Sequence, residues 1–149
     1  MNTKTTDLDF SHITKRYSPT ERVWFPLGIE GGAELRLCYA GSTNKPYIQA
    51  VSAEAMKGEV VASSGDRDKI NSVGLEIDRR VFPLHVVTDW KGVRLASGEE
   101  AAYSTEACAA FLRALPQHLM EKLSRFAGRP ENFAPGLPTA QEVEATAGN

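Results

Sequence analysis

Apolar residues follow two different periods along this chain, and each predicts its own kind of element. Val23-Trp24-Phe25-Pro26-Leu27-Gly28-Ile29 is rich in β-forming residues. Glu34-Leu35-Arg36-Leu37-Cys38-Tyr39 alternates polar with apolar. That period of two puts Leu35, Leu37 and Tyr39 on one face of a strand. Gly31-Gly32 lies between the runs and predicts a hairpin. Pro26 has no N–H to give to a ladder, so the first strand is predicted at a sheet edge or bulged there.

The helical period takes over after the loop Gly41 to Pro46. Pro46 suits the first turn of a helix, and Tyr47 to about Met56 follows with Tyr47, Ala50, Val51 and Ala55 near one face. The segment Glu59 to Gly65 stays open between a loop and a short extended piece. Ile70, Val73, Ile77 and Val81 recur at i, i+3, i+7 and i+11, which predicts a helix over 66–81. Asp66 and Asp68 at its start and Arg79-Arg80 at its end match the macrodipole, and the two arginines read as a solvated helix end. Gly74 weakens this helix by ~1 kcal/mol relative to Ala, and Pro83 is predicted to break or kink it. Leu84-His85-Val86-Val87 stays open between a strand and a new helical turn.

Lys91 to Tyr103 reads as a polar loop. Ser104 is a good N-cap for a helix carrying Ala107, Cys108, Phe111, Leu112, Ala114 and Leu115 on its apolar face. Pro116 marks a joint. Leu119, Met120, Leu123 and Phe126 form the apolar face of a second helix, and Gly128 is placed to end it. From Ala134 the composition shifts to Pro, Gly, Ala and Thr. The predicted fold is α+β, an N-terminal β-hairpin or small antiparallel sheet packed with a C-terminal bundle of short helices. Residues 1–20 are expected as a flexible arm, 21–133 as a single domain, and 134–149 as a disordered tail.

Composition narrows the function classes. A chain of 149 residues, 42% hydrophobic, can bury a core without disulfides or metals. The net charge is −2 and no basic run exceeds a pair, so no nucleic-acid partner is expected. No run approaches the ~18 apolar residues of a membrane span, and Met1 to Phe10 carries Asp7 and Asp9 in place of a signal-peptide apolar region. Cys38 and Cys108 sit among apolar neighbours without metal-ligand spacing, so free buried thiols in a reducing cytoplasm are expected.

The search for converging chemistry assigns no catalytic, cofactor or metal residue. His12, His85 and His118 have no partner at zinc-ligand spacing. Gly28-Ile29-Glu30-Gly31-Gly32 joins two strand-like runs and is not followed by the helix that a phosphate loop needs. Ser63 and Ser64 lack a nucleophile elbow, and Glu99-Glu100 reads as solvated loop. An enzyme would need a deep pocket joining His85 with Asp89 or Glu76. The candidates for partner binding are Trp24, Trp90, Phe111 and Leu115. Each tryptophan is either core or an interface anchor, and the stripe over 104–115 is either internal or part of a groove for a partner helix.

Several landmarks occur in a fixed order. Trp24 and Leu27 open a strand, and Asn44-Lys45-Pro46-Tyr47-Ile48-Gln49-Ala50 follows. Val86-Val87-Thr88-Asp89-Trp90-Lys91-Gly92-Val93 leads through Gly98 to Tyr103-Ser104-Thr105-Glu106. Phe111-Leu112-Arg113-Ala114-Leu115-Pro116 and Pro130-Glu131-Asn132-Phe133 close the series. Over residues 23 to 133 this order resembles the tail assembly chaperones of long-tailed bacteriophages and prophages. The resemblance implies a protein without enzymatic activity that acts in the host cytoplasm and is absent from the mature virion. It also implies two partners, the tape measure protein, which is kept soluble, and the tail tube protein that polymerises around it. A structural virion protein, such as a minor tail or head–tail connector subunit, is the second reading.

Overall fold

The computed structural model describes residues 9–57, 65 and 67–147. Its sheet is built from β1 (Val23–Pro26), β2 (Glu34–Leu37) and β3 (Val87–Lys91), in the order β1-β2-β3 with both pairs antiparallel. The helices are α1 (Ser11–Tyr17), α2 (Lys45–Lys57), α3 (Arg67–His85), α4 (Thr105–Ala114), α5 (Gln117–Ala127) and α6 (Ala140–Ala147). The architecture is α+β, as the hydrophobic pattern predicts.

Register explains the core. Phe25 pairs with Leu35, and Leu35 with Trp90, so one row across the sheet is apolar and buried. The neighbouring row of Trp24, Arg36 and Asp89 points to the opposite face. β1 is an edge strand, which accommodates Pro26. Gly92 links β3 to the next loop with φ +74, and a β-carbon there would lie 2.6 Å from the carbonyl oxygen of Gly32. The hairpin turn and the end of β3 therefore touch through backbone alone.

Helix α3 is the hub, packing against α2, α4, α5 and β3. Ile77, Val81 and Phe82 are buried on it, whereas Ile70 at its start is exposed. The predicted stripe is thus core only in its second half. Asp78 and Arg79 extend that hub with polar contacts. The Asp78 carboxylate accepts from the Tyr47 hydroxyl of α2 at 2.9 Å and from the Ser124 hydroxyl of α5 at 2.9 Å. Arg79 is buried, and its Nη1 donates to the carbonyls of Leu112, Arg113 and Leu115. These are the open carbonyls at the end of α4, where a cation is favoured by the helix dipole. Its Nε faces Glu76 Oε1 at 3.2 Å as an ion pair without hydrogen-bond alignment. The expectation of a solvated Arg79-Arg80 end is therefore corrected for Arg79. Arg80 is exposed and pairs with Glu54.

Other expectations change in place. Pro83 sits inside α3, which ends two residues later at His85. Tertiary burial of Phe82, Pro83, Val86 and Val87 offsets the lost N–H, and β3 starts directly at Val87. Lys91 closes β3, and the residues after it form a tight hairpin-like loop. In that loop Ala101 N–H donates to Val93 at 2.7 Å and Leu95 N–H to Glu99 at 2.8 Å. Glu100, read as solvated loop, accepts from the Gly92 N–H. Gly128 ends α5 at φ −85, without the left-handed conformation that the C-terminal glycine rule assumes.

The segment after Ala134, expected as a disordered tail, contains α6. Thr139 and Glu142 form a reciprocal capping box, with Thr139 N–H to Glu142 Oε2 at 2.9 Å and Glu142 N–H to Thr139 Oγ1 at 3.2 Å. The expected N-terminal arm likewise contains α1. Gly136 N–H donates to the Arg16 carbonyl at 2.7 Å, and Glu21 N–H to the Phe133 carbonyl at 2.9 Å. The two ends of the chain are thereby tied to each other. The open segment 59–65 and the Asp66 position fall outside the described residues except for Gly65.

These contacts set three expected outcomes. Burial pushes the Asp78 carboxyl above the usual carboxylate range, against the lowering effect of its two hydroxyl donors. The folded chain then holds this proton more tightly than the unfolded chain. Stability from this group is highest below the unfolded value and falls as pH rises through the folded one. Asp78→Asn keeps both hydroxyl contacts, so it should remove that slope and be no less stable than wild type at pH 7. Urea midpoints measured from pH 4 to 7 check it. Arg79→Met should cost about 2–3 kcal/mol, because it strands the α4 carbonyls, whereas Arg80→Met should cost less than about 1 kcal/mol. Gly92→Ala should destabilise by about 1–3 kcal/mol through its left-handed backbone, visible as a lowered melting temperature.

Candidate binding surface

The aromatic landmarks near the chain's second half build one internal corner. Trp90 packs edge-on against Tyr103, with centroids 5.4 Å apart, and against Phe111 at 5.7 Å. Its indole N–H donates to the Ala101 carbonyl at 2.8 Å. The Tyr103 hydroxyl donates to Val87 at 3.0 Å, joining the loop to β3. Ser104 caps α4 by accepting from Ala107 N–H at 3.0 Å. This is why a lone tryptophan, a tyrosine and a capped helix occur in that order. Together they close β3 onto α4.

Of the four candidate partner-binding residues, the structure brings Trp90 and Phe111 together but keeps Trp90 and Leu115 buried. Phe111 is half-buried. Trp24 stands apart on the outer face of the sheet and is 36% exposed. Lys91 Nζ lies over its ring, 4.3 Å from the centroid, and is also 3.3 Å from Glu34 Oε2. Trp24 is therefore the most exposed of the four candidates.

The thiols are held inside. Cys38 Sγ donates to the His85 carbonyl at 3.2 Å, and burial raises its pKa. Burial likewise pushes the Cys108 thiol up to about 12. Both stay protonated at neutral pH, which disfavours nucleophilic or metal-binding roles. Asn44 donates to the carbonyls of Tyr39 and His85, each at 2.9 Å, and accepts from Tyr47 N–H at 3.3 Å. It caps α2 while joining the ends of β2 and α3. His85 is half-buried and His12 and His118 are exposed. Among the described residues no group of His, Cys, Asp or Glu is arranged to hold a metal ion, and no helix is long and apolar enough to cross a membrane.

A cleft of about 460 Å³ opens between the hairpin and α5, and it contains none of the four candidates. Phe25, Pro26 and Phe126 form its apolar side. The Phe25 and Phe126 rings pack at 4.7 Å, and Phe126 also meets the buried Phe133 at 5.8 Å. Lys122, Arg125 and Arg129 line the other side, and all three are exposed. Lys122 Nζ reaches across to Gly28, 3.5 Å from where a β-carbon would stand. None of the three cations forms an ion pair with a described residue. Sequence reading takes Phe126 as core and does not single out the cations. The i, i+3 spacing of Lys122 and Arg125 on α5 is the available signal, while Arg129 lies past the helix end.

A second cleft lies where α2, α3 and α5 meet, beside Ile70, Gly74 and Asp78. Neither cleft joins His85 to Asp89 or Glu76.

No curated protein and no solved structure matches the chain. The model of one protein family does, that of the YdaY prophage protein, over residues 43–149. The match begins just before α2 and runs through the Trp90 corner, the cation-lined helix and α6, leaving β1 and β2 outside it. Spanning well over half of the sequence, it makes this chain a member of the YdaY prophage protein family.

Proposed function

We propose that this prophage protein is a tail assembly chaperone. In this reading it binds the tape measure protein transiently in the host cytoplasm, keeps it soluble, and releases it as tail tube subunits polymerise around it. It acts by binding, without catalysis, and does not enter the mature virion. A long helical ruler exposes apolar stripes over its whole length, and such stripes aggregate unless they are covered.

One observation carries this reading, the cleft beside α5. It combines an apolar wall with cations that form no ion pair with a described residue. That is the composition of a surface awaiting another chain rather than of a reaction centre. The prophage family and the ordered landmarks from Trp24 to Phe133 support the same reading. The buried Trp90 corner serves it indirectly, by fixing α4 and, through Pro116, the direction in which α5 leaves.

The alternative of a structural virion subunit has its own observation. Helix α1 exposes Phe10 before it and Ile13 and Tyr17 on it, an apolar stripe that assembly into a particle could cover. Two measurements separate the readings. Co-expression with the tape measure protein of the same prophage should raise that protein's soluble fraction several-fold and recover a complex. Equal solubility without this chain, and no complex, would sink the chaperone reading. Mass spectrometry of purified particles should find this chain absent, whereas a fixed stoichiometry would assign it to the virion.

A further inference from the structure

We propose that the cleft between the hairpin and α5 is the docking groove for an acidic amphipathic helix of the partner protein. This inference rests on the chaperone reading for the partner's identity, but its geometry stands separately.

Charge complementarity identifies the occupant. Lys122 and Arg125 lie one turn apart on α5, and Arg129, in extended backbone just past Gly128, lines the same cleft. A partner helix lying in the cleft offers carboxylates to these three cations. Among the described residues, Glu54, Glu76 and Glu34 pair with Lys57 and Arg80, Arg79 and Lys91, and no carboxylate forms an ion pair with Lys122, Arg125 or Arg129. These three cations are therefore open to carboxylates of another chain.

The apolar wall decides between occupants of different kinds. Phe25 and Phe126 pack against each other and Phe126 also against Phe133, so their rings are engaged by one another. Single-stranded nucleic acid needs free ring faces for base stacking, and here the Phe25 ring is buried and packed on Phe126. Leucine-like side chains on one stripe of a helix fit such a surface. An added β-strand does not. Pro26 closes the cleft side of edge strand β1 and lacks the N–H that strand addition would use. The partner segment is therefore read as helical, with Glu or Asp on one flank of an apolar stripe.

The probe is a fluorescein-labelled peptide of about 20 residues, long enough to hold a helix, built from Leu, Ala and Glu with the acids at i, i+3 and i+7. It is titrated with the full chain by fluorescence anisotropy, beside the same peptide with Lys in place of Glu and a single-stranded oligonucleotide of similar charge. The Glu peptide should bind and the Lys peptide should not, and salt should weaken the binding. The triple variant K122E/R125E/R129E should lose at least tenfold in affinity while keeping the wild-type circular dichroism and melting temperature, since all three side chains are exposed. If the triple reversal unfolds the chain, Phe126→Leu and the single reversal Arg125→Glu provide the same comparison.

Each other result overturns the inference. Equal binding by wild type and triple variant places the peptide elsewhere. Oligonucleotide binding tighter than peptide binding, lost in the variant, assigns the groove to nucleic acid. A wild-type dimer in sedimentation that the reversals convert to monomer assigns it to a second copy. Co-expression separates this inference from the chaperone reading. A tape measure protein held equally well by wild type and variant refutes the groove alone. A peptide bound by the groove, with no tape measure complex, refutes the chaperone role alone.

Discussion

One turn of α3 governs the rest of the fold, because it places a half-buried Asp78 and a buried Arg79 that must find partners in different directions. Asp78 and Arg79 are adjacent on that helix, so they face about 100° apart. Asp78 reaches α2 and α5 through the hydroxyls of Tyr47 and Ser124. Arg79 reaches the open end of α4. An apolar hub could hold the same helices at many rotations, since apolar burial has no direction. Unsatisfied buried polar groups cost far more than imperfect apolar contacts, so these hydrogen bonds select one arrangement. The position of α5, and with it that of Lys122 and Arg125, follows from that selection.

The joint between α4 and α5 shows the same logic from the other side. Pro116 stops α4 from continuing and leaves its last carbonyls without helical donors. Arg79 supplies donors at that point, so the break is stabilised by a side chain from a helix 33 to 36 positions earlier in the chain. The Trp90 corner then fixes the start of α4, through Ser104 and the packing of Phe111. Held at both ends, α4 determines where α5 departs. The aromatic landmarks are thus framework, and the exposed surface they support lies on a neighbouring helix.

Much of this was legible from residues alone. Alternation gave Leu35 and Leu37 their buried face, Gly31-Gly32 gave the hairpin, and Ser104 gave the start of α4, because each is a local rule acting over a few residues. The failures are of two sorts. Arg79 looks like any basic residue at a helix end, and its burial depends on the α4 carbonyls, which local reading cannot bring near. Pro83 is tolerated for the same reason, through tertiary burial of Phe82 and Val86. The capping box at Thr139 and Glu142 was local and readable, yet the surrounding Pro, Gly and Ala drew attention to composition instead. At the cleft, Phe25 and Phe126 were readable as apolar but their nearness to the α5 cations was not, since it requires the hairpin to fold against α5.

Net charge misdirects for a related reason. A formal charge of −2 argues against a basic surface when averaged over the chain. Binding responds to local potential, which decays within a Debye length of about 8 Å in physiological salt. Distant acids therefore do little to the cations at the cleft, and none of the three forms an ion pair with a described residue. Helix α5 is also fixed in space, since it is anchored by Met120 and Leu123, both fully buried, and by Ser124 on Asp78. An anchored α5 backbone loses little freedom on binding, so the ordering cost at the cleft is confined to the exposed Lys and Arg side chains. The polar contacts of α3 thus reach the surface, by holding the helix that carries Lys122 and Arg125 in one place.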